Sequence, residues 1–350
     1  MSASFTLSCP LPVSQHRTIV LGHGSGGRLT AQLVRELFLP AFDNPALRKL
    51  DDQAVLEIAP GRIALTTDSY VVTPLFFPGG DIGRLAVNGT VNDLAMSGAR
   101  PLSLTAAFII EEGLPLEDLQ RVVQSMSQAA AEAGVAIVTG DTKVVNRGCA
   151  DKLFVTTAGI GLVPDGVSIS ASNAQAGDAV IVSGPIGDHG ITIWSCREGI
   201  DFASGLKSDT APLHALVAAM ISAGGADVHV LRDPTRGGLG TSLCEIAVSS
   251  AAGIELEAQA VPVRDEVKAA CEILGMDPLF VANEGWLVAM VAERSAAAVL
   301  AAMREVPEGR EACRIGRVVS DHAGMVLVKT EVGGSRILDV PFAEQLPRIC

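Results

Sequence analysis

Aromatic residues are scarce in this chain: phenylalanine, tryptophan and tyrosine make up 4% of it, with a single tyrosine and two tryptophans. A surface that stacks nucleobases needs aromatic platforms, so single-strand nucleic-acid binding is disfavoured. Positive charge is short as well, with 26 lysines and arginines against 39 aspartates and glutamates, a formal net charge of −13. That balance repels phosphate backbones and anionic bilayers, and neither a nucleic-acid nor a membrane partner is expected. Long apolar runs are missing although 48% of the residues are hydrophobic. The longest stretch, near Leu104–Ile110, is far shorter than the roughly 20 residues of a membrane-crossing helix. Met1 to Pro10 carries no basic residue ahead of a long apolar core, which argues against a secretory signal. Seven cysteines, an odd number, are scattered with no Cys-x-x-Cys pair. Reduced thiols in the cytoplasm are expected, and neither a disulfide scaffold nor a zinc site. A Gly-Lys-Ser/Thr phosphate loop, an internal repeat and a low-complexity tract are absent.

What is present is apolar sequence spread over many short segments, enough in 350 residues for two domains. Residues 1–40 read as an extension, with Pro10 and Pro12, a glycine-rich loop from Gly22 to Gly27 and a helix from about Leu29 to Phe38. In residues 41–165, extended patterns at Ile63–Thr73, Leu102–Glu111, Val135–Thr139 and Leu153–Val163 alternate with helical ones at Ile82–Ser97 and Leu116–Ala133. This β-α-β-α-β-β order predicts an α+β domain, a mixed sheet with helices on one face. The polar stretch Pro164–Gly177 marks a boundary. Residues 166–335 read as an α/β domain, with strands at Ala179–Ser183, Ile254–Glu257, Trp286–Val291 and Met325–Lys329. Its helices fall near Gly190–Arg197, Pro212–Ala223, Leu239–Ala251, Arg264–Leu274 and Ala296–Arg304. Residues 336–350, with Pro341 and Pro347, are expected to form a mobile tail ending in Cys350.

Several segments carry chemistry. Gly22-x-Gly24-x-x-Gly27 matches a dinucleotide fingerprint formally, but Asn44–Asp52 does not read as the second strand that fold requires. A glycine loop that closes over a phosphate, or a plain turn, fits better. Aspartates recur at element boundaries: Asp51, Asp52, Asp68, Asp93, Asp141, Asp188 and Asp233. Hard oxygen ligands so placed can hold Mg²⁺ against a triphosphate, although each alone is also a common cap or turn residue. Lys143 follows Gly140-Asp141-Thr142; it could neutralise phosphate or orient a substrate, or be a solvated loop lysine. Asp233-Pro234-Thr235-Arg236-Gly237-Gly238 leads into an apolar helix and makes an anion seat at its N-terminus, or simply its cap. Glu284 sits between apolar pieces, where desolvation would suit it to act as a general base; a hairpin turn is the plainer reading. His23 and His189 stand in glycine loops as further candidate ligands. Cys350 is a thiol at the end of a chain, free to collect a group at one site and deliver it to another, or else a frayed terminus. The other cysteines read as packing residues.

Taken in order, these segments resemble a known family. His23-Gly24-Ser25-Gly26-Gly27, Thr67-Asp68-Ser69-Tyr70, Gly140-Asp141-Thr142-Lys143, Gly187-Asp188-His189-Gly190, Asp233 to Gly238, Ala282-Asn283-Glu284-Gly285 and Pro347-Arg348-Ile349-Cys350 span nearly the whole chain. The set closely resembles the HypE hydrogenase maturation proteins, of the ATP-binding superfamily of aminoimidazole ribonucleotide synthetases and selenophosphate synthetases. The resemblance implies an N-terminal α+β domain that binds ATP and pairs across a homodimer, a C-terminal α/β domain, and ATP with Mg²⁺ in the cleft between them. It implies a carbamoyl dehydratase of lyase type. The carbamoyltransferase HypF loads a carbamoyl group on the terminal cysteine, ATP-dependent dehydration gives a thiocyanate, and cyanide passes to iron on a HypC–HypD complex for the [NiFe] hydrogenase centre. Carried onto this sequence, Cys350 is the covalent carrier, Glu284 the base, and Lys143 orients the carboxamide or balances charge. Asp52, Asp68, Asn92, Asp93, Asp141, Thr142, Asp233, Thr235, Arg236, Gly237 and Gly238 would hold nucleotide, and Asp52, Asp93 and Asp233 the metal. Two alternatives stand beside this. A phosphotransferase like the selenophosphate synthetases would act on a free small molecule, but its reactive cysteine belongs near the glycine loop, where only Cys9 lies upstream. A non-catalytic assembly scaffold would need no carboxylates arranged around ATP.

Overall fold

The computed structural model describes residues 17–25, 28–50, 54, 56, 58, 60–199, 205–330 and 333–340. Residues 341–350 of the expected tail, including Cys350, lie outside the described residues, as do Asp51, Asp52 and Gly26 and Gly27 of the glycine loop.

The first sheet has four strands: β1 (Arg62–Tyr70), β2 (Arg100–Glu111), β3 (Ala136–Val145) and β4 (Leu153–Val163), in the order β1-β4-β2-β3. Pairing is antiparallel except between β2 and β3, so the sheet is mixed as expected. Helices α1 (Ile82–Met96) and α2 (Leu116–Glu132) cover one face. Leu85, Val91, Leu94, Leu119, Val122 and Met126 are buried there with Leu104, Ile110, Leu153 and Val155. Removing such side chains from water is what favours the layer, at about 1.5–3 kcal/mol for each large one. Asp81 starts α1: its Oδ1 accepts the N–H groups of Gly83 (2.7 Å) and Arg84 (3.2 Å), two donors the helix cannot satisfy itself. Among the described residues no helix covers the opposite face, where Ala54 and Leu56 lie near Leu65 and Ile160 and where Ile63, Leu65 and Ile109 are exposed.

The second sheet has seven strands: β5 (Ala179–Val182), β6 (Val228–Arg232), β7 (Gly253–Glu257), β8 (Val288–Val291), β9 (Cys313–Val319), β10 (Val326–Lys329) and β11 (Ser335–Leu338). Their order is β11-β10-β7-β9-β5-β8-β6. Among the described residues five α-helices accompany it: α3 (Asp188–Glu198), α4 (His214–Gly224), α5 (Gly238–Ser250), α6 (Asp265–Leu274) and α7 (Glu293–Arg304). Strands β5 and β8 are apolar at every position because both faces are covered. Val180 and Val182 point into the core beneath α5, and Ala179 and Ile181 into the core under α4 and α7. Ile191 and Ile193 of α3 and Val267 and Ala270 of α6 join the core of the first sheet, binding the two halves together.

Three differences from the sequence reading have physical causes. β3 runs on through Gly140-Asp141-Thr142-Lys143, expected as a turn, because the long β2 offers partners along that length, Ala106 to Gly140 and Ile109 to Lys143. The helix expected over Leu29–Phe38 is α-helical over Arg28–Leu33, widens into a π turn over Val34–Phe38 and closes over Leu39–Ala41. Pro40 cannot donate a backbone hydrogen bond there. β6, β9 and β11 were not legible: β6 is short, β9 is broken by the exposed Arg314 and Arg317, and β11 is an exposed edge strand that takes up Arg336–Leu338 of the expected tail. Among the described residues no helix is long and apolar enough to cross a membrane. Burial pushes the thiols of Cys244 and Cys271 up to about 11, so they pack as apolar groups.

Candidate active site at the junction of the two sheets

On β1, Thr66, Asp68 and Tyr70 alternate with outward residues and face α1. Tyr70 is buried, and its Oη is packed so tightly on α1 that a Cβ at Gly89 would lie 2.1 Å away. That hydroxyl donates to Asp68 Oδ2 (3.1 Å), and Thr66 Oγ1 donates to Asp93 Oδ2 (2.6 Å) on the last turns of α1. Burial raises the Asp68 carboxyl above its usual range, and the negative Asp93 beside it raises it further; Tyr70 and Arg236 oppose the shift. The Tyr70 hydroxyl is itself held well above its ordinary value by burial, then by Asp68 and Glu284.

The second half of the chain supplies the opposing wall. After β6 the chain turns through Asp233 to Gly237 into α5, with Thr235 N–H bonded to Asp233 O and Gly238 N–H to Thr235 O, each at 3.0 Å. Gly238 has φ +62°, and any side chain there would strike Val281 O at 2.6 Å, so the turn demands glycine. Asn283 lashes three loops together: its Nδ2 donates to Pro234 O (2.8 Å) and Val281 O (3.1 Å), and its Oδ1 accepts Gly187 N–H (2.7 Å). Burial pushes Asp233 up to about 7, and the facing Asp93 adds to this. Asp68, Asp93, Asp233 and Arg236 therefore form one electrostatically linked group drawn from both halves.

Glu284 is buried at the same junction. Its N–H donates to Asp209 Oδ1 (2.8 Å), and its carbonyl accepts Asn92 Nδ2 (3.4 Å). Asn92 also donates to Ala211 O (3.0 Å) and accepts Leu213 N–H (2.8 Å), so its amide fastens α1 to the segment 211–213. The structure thus brings Asp68, Asn92, Asp93, Asp233, Arg236, Gly238 and Glu284 together.

Asp141, Thr142 and Lys143 stand apart. β1 and β3 are at opposite edges of the first sheet, three strand spacings or about 14 Å apart. The register pairs Asp141 with Ala107 and Lys143 with Ile109, which places both side chains on the open face, whereas Asp68 faces the helices. Lys143 is exposed and pairs with Asp141 (3.3 Å). Thr142 instead lines an apolar cavity of about 170 Å³ with Phe38, Leu39, Phe42 and Phe108. Asp188 binds Arg264 (2.8 Å), and the buried His189 meets Ser208 Oγ (2.8 Å) through Nδ1. His23 accepts Val20 N–H (3.0 Å) through its ring. Sequence reasoning missed Asp209, quoted Tyr70 within a motif without giving it a role, and missed the clamping roles of Asn92 and Asn283. A buried asparagine beside a glutamate was the available signal for Asn283; Asp209 offered none.

Known proteins share the sequence and fold of this chain. The family model described as "AIR synthase related protein, N-terminal domain" matches residues 50–163, and the corresponding C-terminal domain matches residues 175–329. The chain is 55% identical over 332 residues to the carbamoyl dehydratase HypE of Rhizobium leguminosarum bv. viciae, covering 95% of each. A crystal structure of hydrogenase maturation protein HypE in complex with ATP superposes with a TM-score of 0.91 at 52% identity, over 95% of this chain and 99% of that one. A crystal structure of a HypE–HypF complex matches with a TM-score of 0.78 at 49% identity, over 88% and 99%.

Proposed function

The chain belongs to the HypE family of carbamoyl dehydratases, and we propose that it uses ATP to dehydrate a carbamoyl group carried on the thiol of Cys350. The observation that carries this reading is the convergence of Asp68, Asp93, Asp233, Arg236 and Glu284 at one junction from well-separated stretches of chain. An amide oxygen is a poor leaving group. Attack of that oxygen on the γ-phosphorus of ATP, with loss of one nitrogen proton, releases ADP and converts the oxygen into a phosphate ester. Loss of the second nitrogen proton then forms the nitrile, breaks the C–O bond and expels inorganic phosphate, leaving a thiocyanate on the cysteine. Glu284 is the base for a nitrogen proton; its burial excludes the water that would otherwise hydrolyse the phosphorylated intermediate. Arg236 and the Gly237–Gly238 turn receive phosphate at the start of α5. Thr235 belongs to the nucleotide-contacting set in the same reading; Asp141, on the open face, would contact nucleotide only across a pair of copies, and Thr142, turned into the apolar cavity, is not placed to do so within one copy.

The donor set fits a hard divalent cation. Asp68, Asp93 and Asp233 crowd negative charge, which Arg236 opposes at Asp68 and Arg232 at Asp233. Asp93 and Asp233, with Asp52, would hold Mg²⁺, whose charge would screen the triphosphate. Among the described residues no three His, Cys, Asp or Glu side chains form a ready metal cage, so phosphate oxygens would complete the shell. HypF is the proposed carbamoyl donor, and a HypC–HypD complex the acceptor of the cyanide for the [NiFe] centre. The open face with Ile63, Leu65 and Ile109 suits pairing with a second copy as a homodimer. Lys143 lies on that face, so its proposed role in orienting the carboxamide is exercised across the pair.

Peptide mass spectrometry of the C-terminal fragment tests the reading after incubation with HypF, carbamoyl phosphate and Mg·ATP. A carbamoyl adduct on Cys350 that loses one water only in the presence of ATP is expected. An unmodified Cys350 with steady ATP hydrolysis would instead favour a phosphotransferase acting on a free small molecule.

A further inference from the structure

We propose that Asp209 is a positioning residue for Glu284, gripping its main chain and so fixing where the Glu284 carboxyl points. The inference rests on the reading of Glu284 as the base. The segment 205–213 is wedged between the two halves of the molecule. Ser208 N–H bonds Pro78 O (2.9 Å), Asn88 Nδ2 bonds Thr210 Oγ1 (3.3 Å), and Ala211 and Leu213 are held by Asn92. From this braced segment Asp209 Oδ1 takes the Glu284 N–H at 2.8 Å. The next residue packs on the same spot: a Cβ at Gly285 would fall 1.8 Å from Asp209 O, so only glycine lets the turn lie against it. On the other side the Glu284 carbonyl accepts Asn92 Nδ2. Both peptide groups flanking the Glu284 Cα are therefore held, one from each half, and the backbone that aims the carboxyl has little freedom left.

Asp209 is built for holding rather than for charge. Its Oδ2 is buried with no hydrogen-bond partner among the described residues. Burial pushes its carboxyl up to about 8, against the pull of the Glu284 and His189 N–H groups, and the nearby Asp188 raises it further. At neutral pH the group is mostly a neutral acid that still offers Oδ1 as an acceptor, and asparagine reproduces that shape and charge.

The test measures ATP-dependent dehydration of the S-carbamoylated full chain. Asp209→Ala should lower kcat by about 10- to 100-fold, the penalty for a displaced catalytic group, with KM for ATP unchanged. Asp209→Asn should stay within about threefold of wild type, because it keeps the acceptor. Asp209→Ser cannot span to the Glu284 N–H; it should repeat the alanine pattern and serves if the alanine variant misfolds. In a Glu284→Gln background Asp209→Ala should cause no further loss, since a residue acting only through Glu284 has nothing left to act on. Wild-type kcat in Asp209→Ala or Asp209→Ser, or a multiplied loss in the double variant, overturns the inference. Glu284→Gln at full rate removes the base reading and this inference together. An inactive Glu284→Gln beside a fully active Asp209→Ala removes this inference alone.

Discussion

Replacing Asp233 by asparagine should make the metal-free protein more stable while weakening its hold on Mg·ATP. Burial and the facing Asp93 push Asp233 up to about 7 in the folded chain from an ordinary value of 3.8. Its folded form therefore binds a proton more tightly than its unfolded form. Stability falls as pH rises from about 4 to about 7, and is lowest above that window. The full shift of about 3 units corresponds to about 4 kcal/mol, and relaxation around the site reduces this to about 2 kcal/mol. Asparagine carries no charge at any pH, so in EDTA at pH 8 the Asp233→Asn protein should be about 2 kcal/mol more stable than wild type. For domains of this size that is a rise of about 4–8 °C in the thermal midpoint. The advantage should shrink by about 1 kcal/mol between pH 7 and pH 5, where wild type keeps its proton when folded. Adding Mg·ATP should reverse the order, because wild type gains binding energy that the variant cannot. Thermal melts from pH 5 to 8, with and without Mg·ATP, decide the matter. An Asp233→Asn protein that is less stable at pH 8 in EDTA, or whose advantage does not change with pH, would refute the account of this carboxylate as uncompensated charge awaiting a cation.

Other outcomes follow from the same geometry. Asn92→Ala leaves Leu213 N–H and Ala211 O without their partner and should cost about 3 kcal/mol in urea unfolding; a loss under 1 kcal/mol would show that the two halves are not fastened there. Gly238→Ala forces a side chain to φ +62° and against Val281 O. It should cost about 2 kcal/mol and weaken nucleotide binding measured by calorimetry, and an unchanged affinity would dissociate the turn from phosphate recognition. Lys143→Ala and Glu284→Gln proteins should each be inactive, yet mixing them after reversible dissociation should restore about a quarter of the wild-type rate, the share of sites that draw both residues from different copies. No recovery would mean that Lys143 does not serve the site across a pair.

The legible parts of the molecule were those governed by local pattern. β4 was read from Leu153 to Val163 because its inward and outward residues alternate along its whole length. α1 and α2 were read to within a residue or two because their apolar faces recur with helical spacing. Asp68, Asp93, Asp233 and Glu284 stood out as acidic residues beside small or polar neighbours; Asp68 proves to lie within β1 and Asp93 within α1 rather than at their boundaries, and the fold does bring all four together. What stayed hidden depends on register and on distance along the chain. No local feature says which face of β3 carries Lys143; the parallel ladder with β2 decides it, and the ladder extends where the sequence suggested a turn. Asp209 lies in a stretch with no periodicity, 75 residues from the N–H it accepts, so its role exists only in the folded chain.

The chemistry of the junction explains why its fasteners are amides. Asp68, Asp93 and Asp233 repel one another, and the protein must hold them close before any cation arrives. Ion pairs would do this poorly: an added cation from the protein would neutralise the carboxylates that must bind metal, and burying it would carry its own desolvation penalty. Neutral asparagines avoid both problems. Asn92 spends its amide on three main-chain groups of the second half, and Asn283 spends its own on loops from Gly187, Pro234 and Val281. Each bond satisfies a buried peptide group that would otherwise cost about 1–3 kcal/mol, so the junction gains rigidity without spending charge. An Asn283→Asp substitution should therefore do more harm than Asn283→Ala. It replaces a donor with a carboxylate facing the Pro234 and Val281 carbonyls and adds a negative charge beside Asp233. The aspartate variant should melt lower than the alanine variant at pH 8 and recover part of the gap at pH 5, where the new carboxyl can protonate. If the two variants melt alike at both pH values, charge economy is not what selected the asparagine.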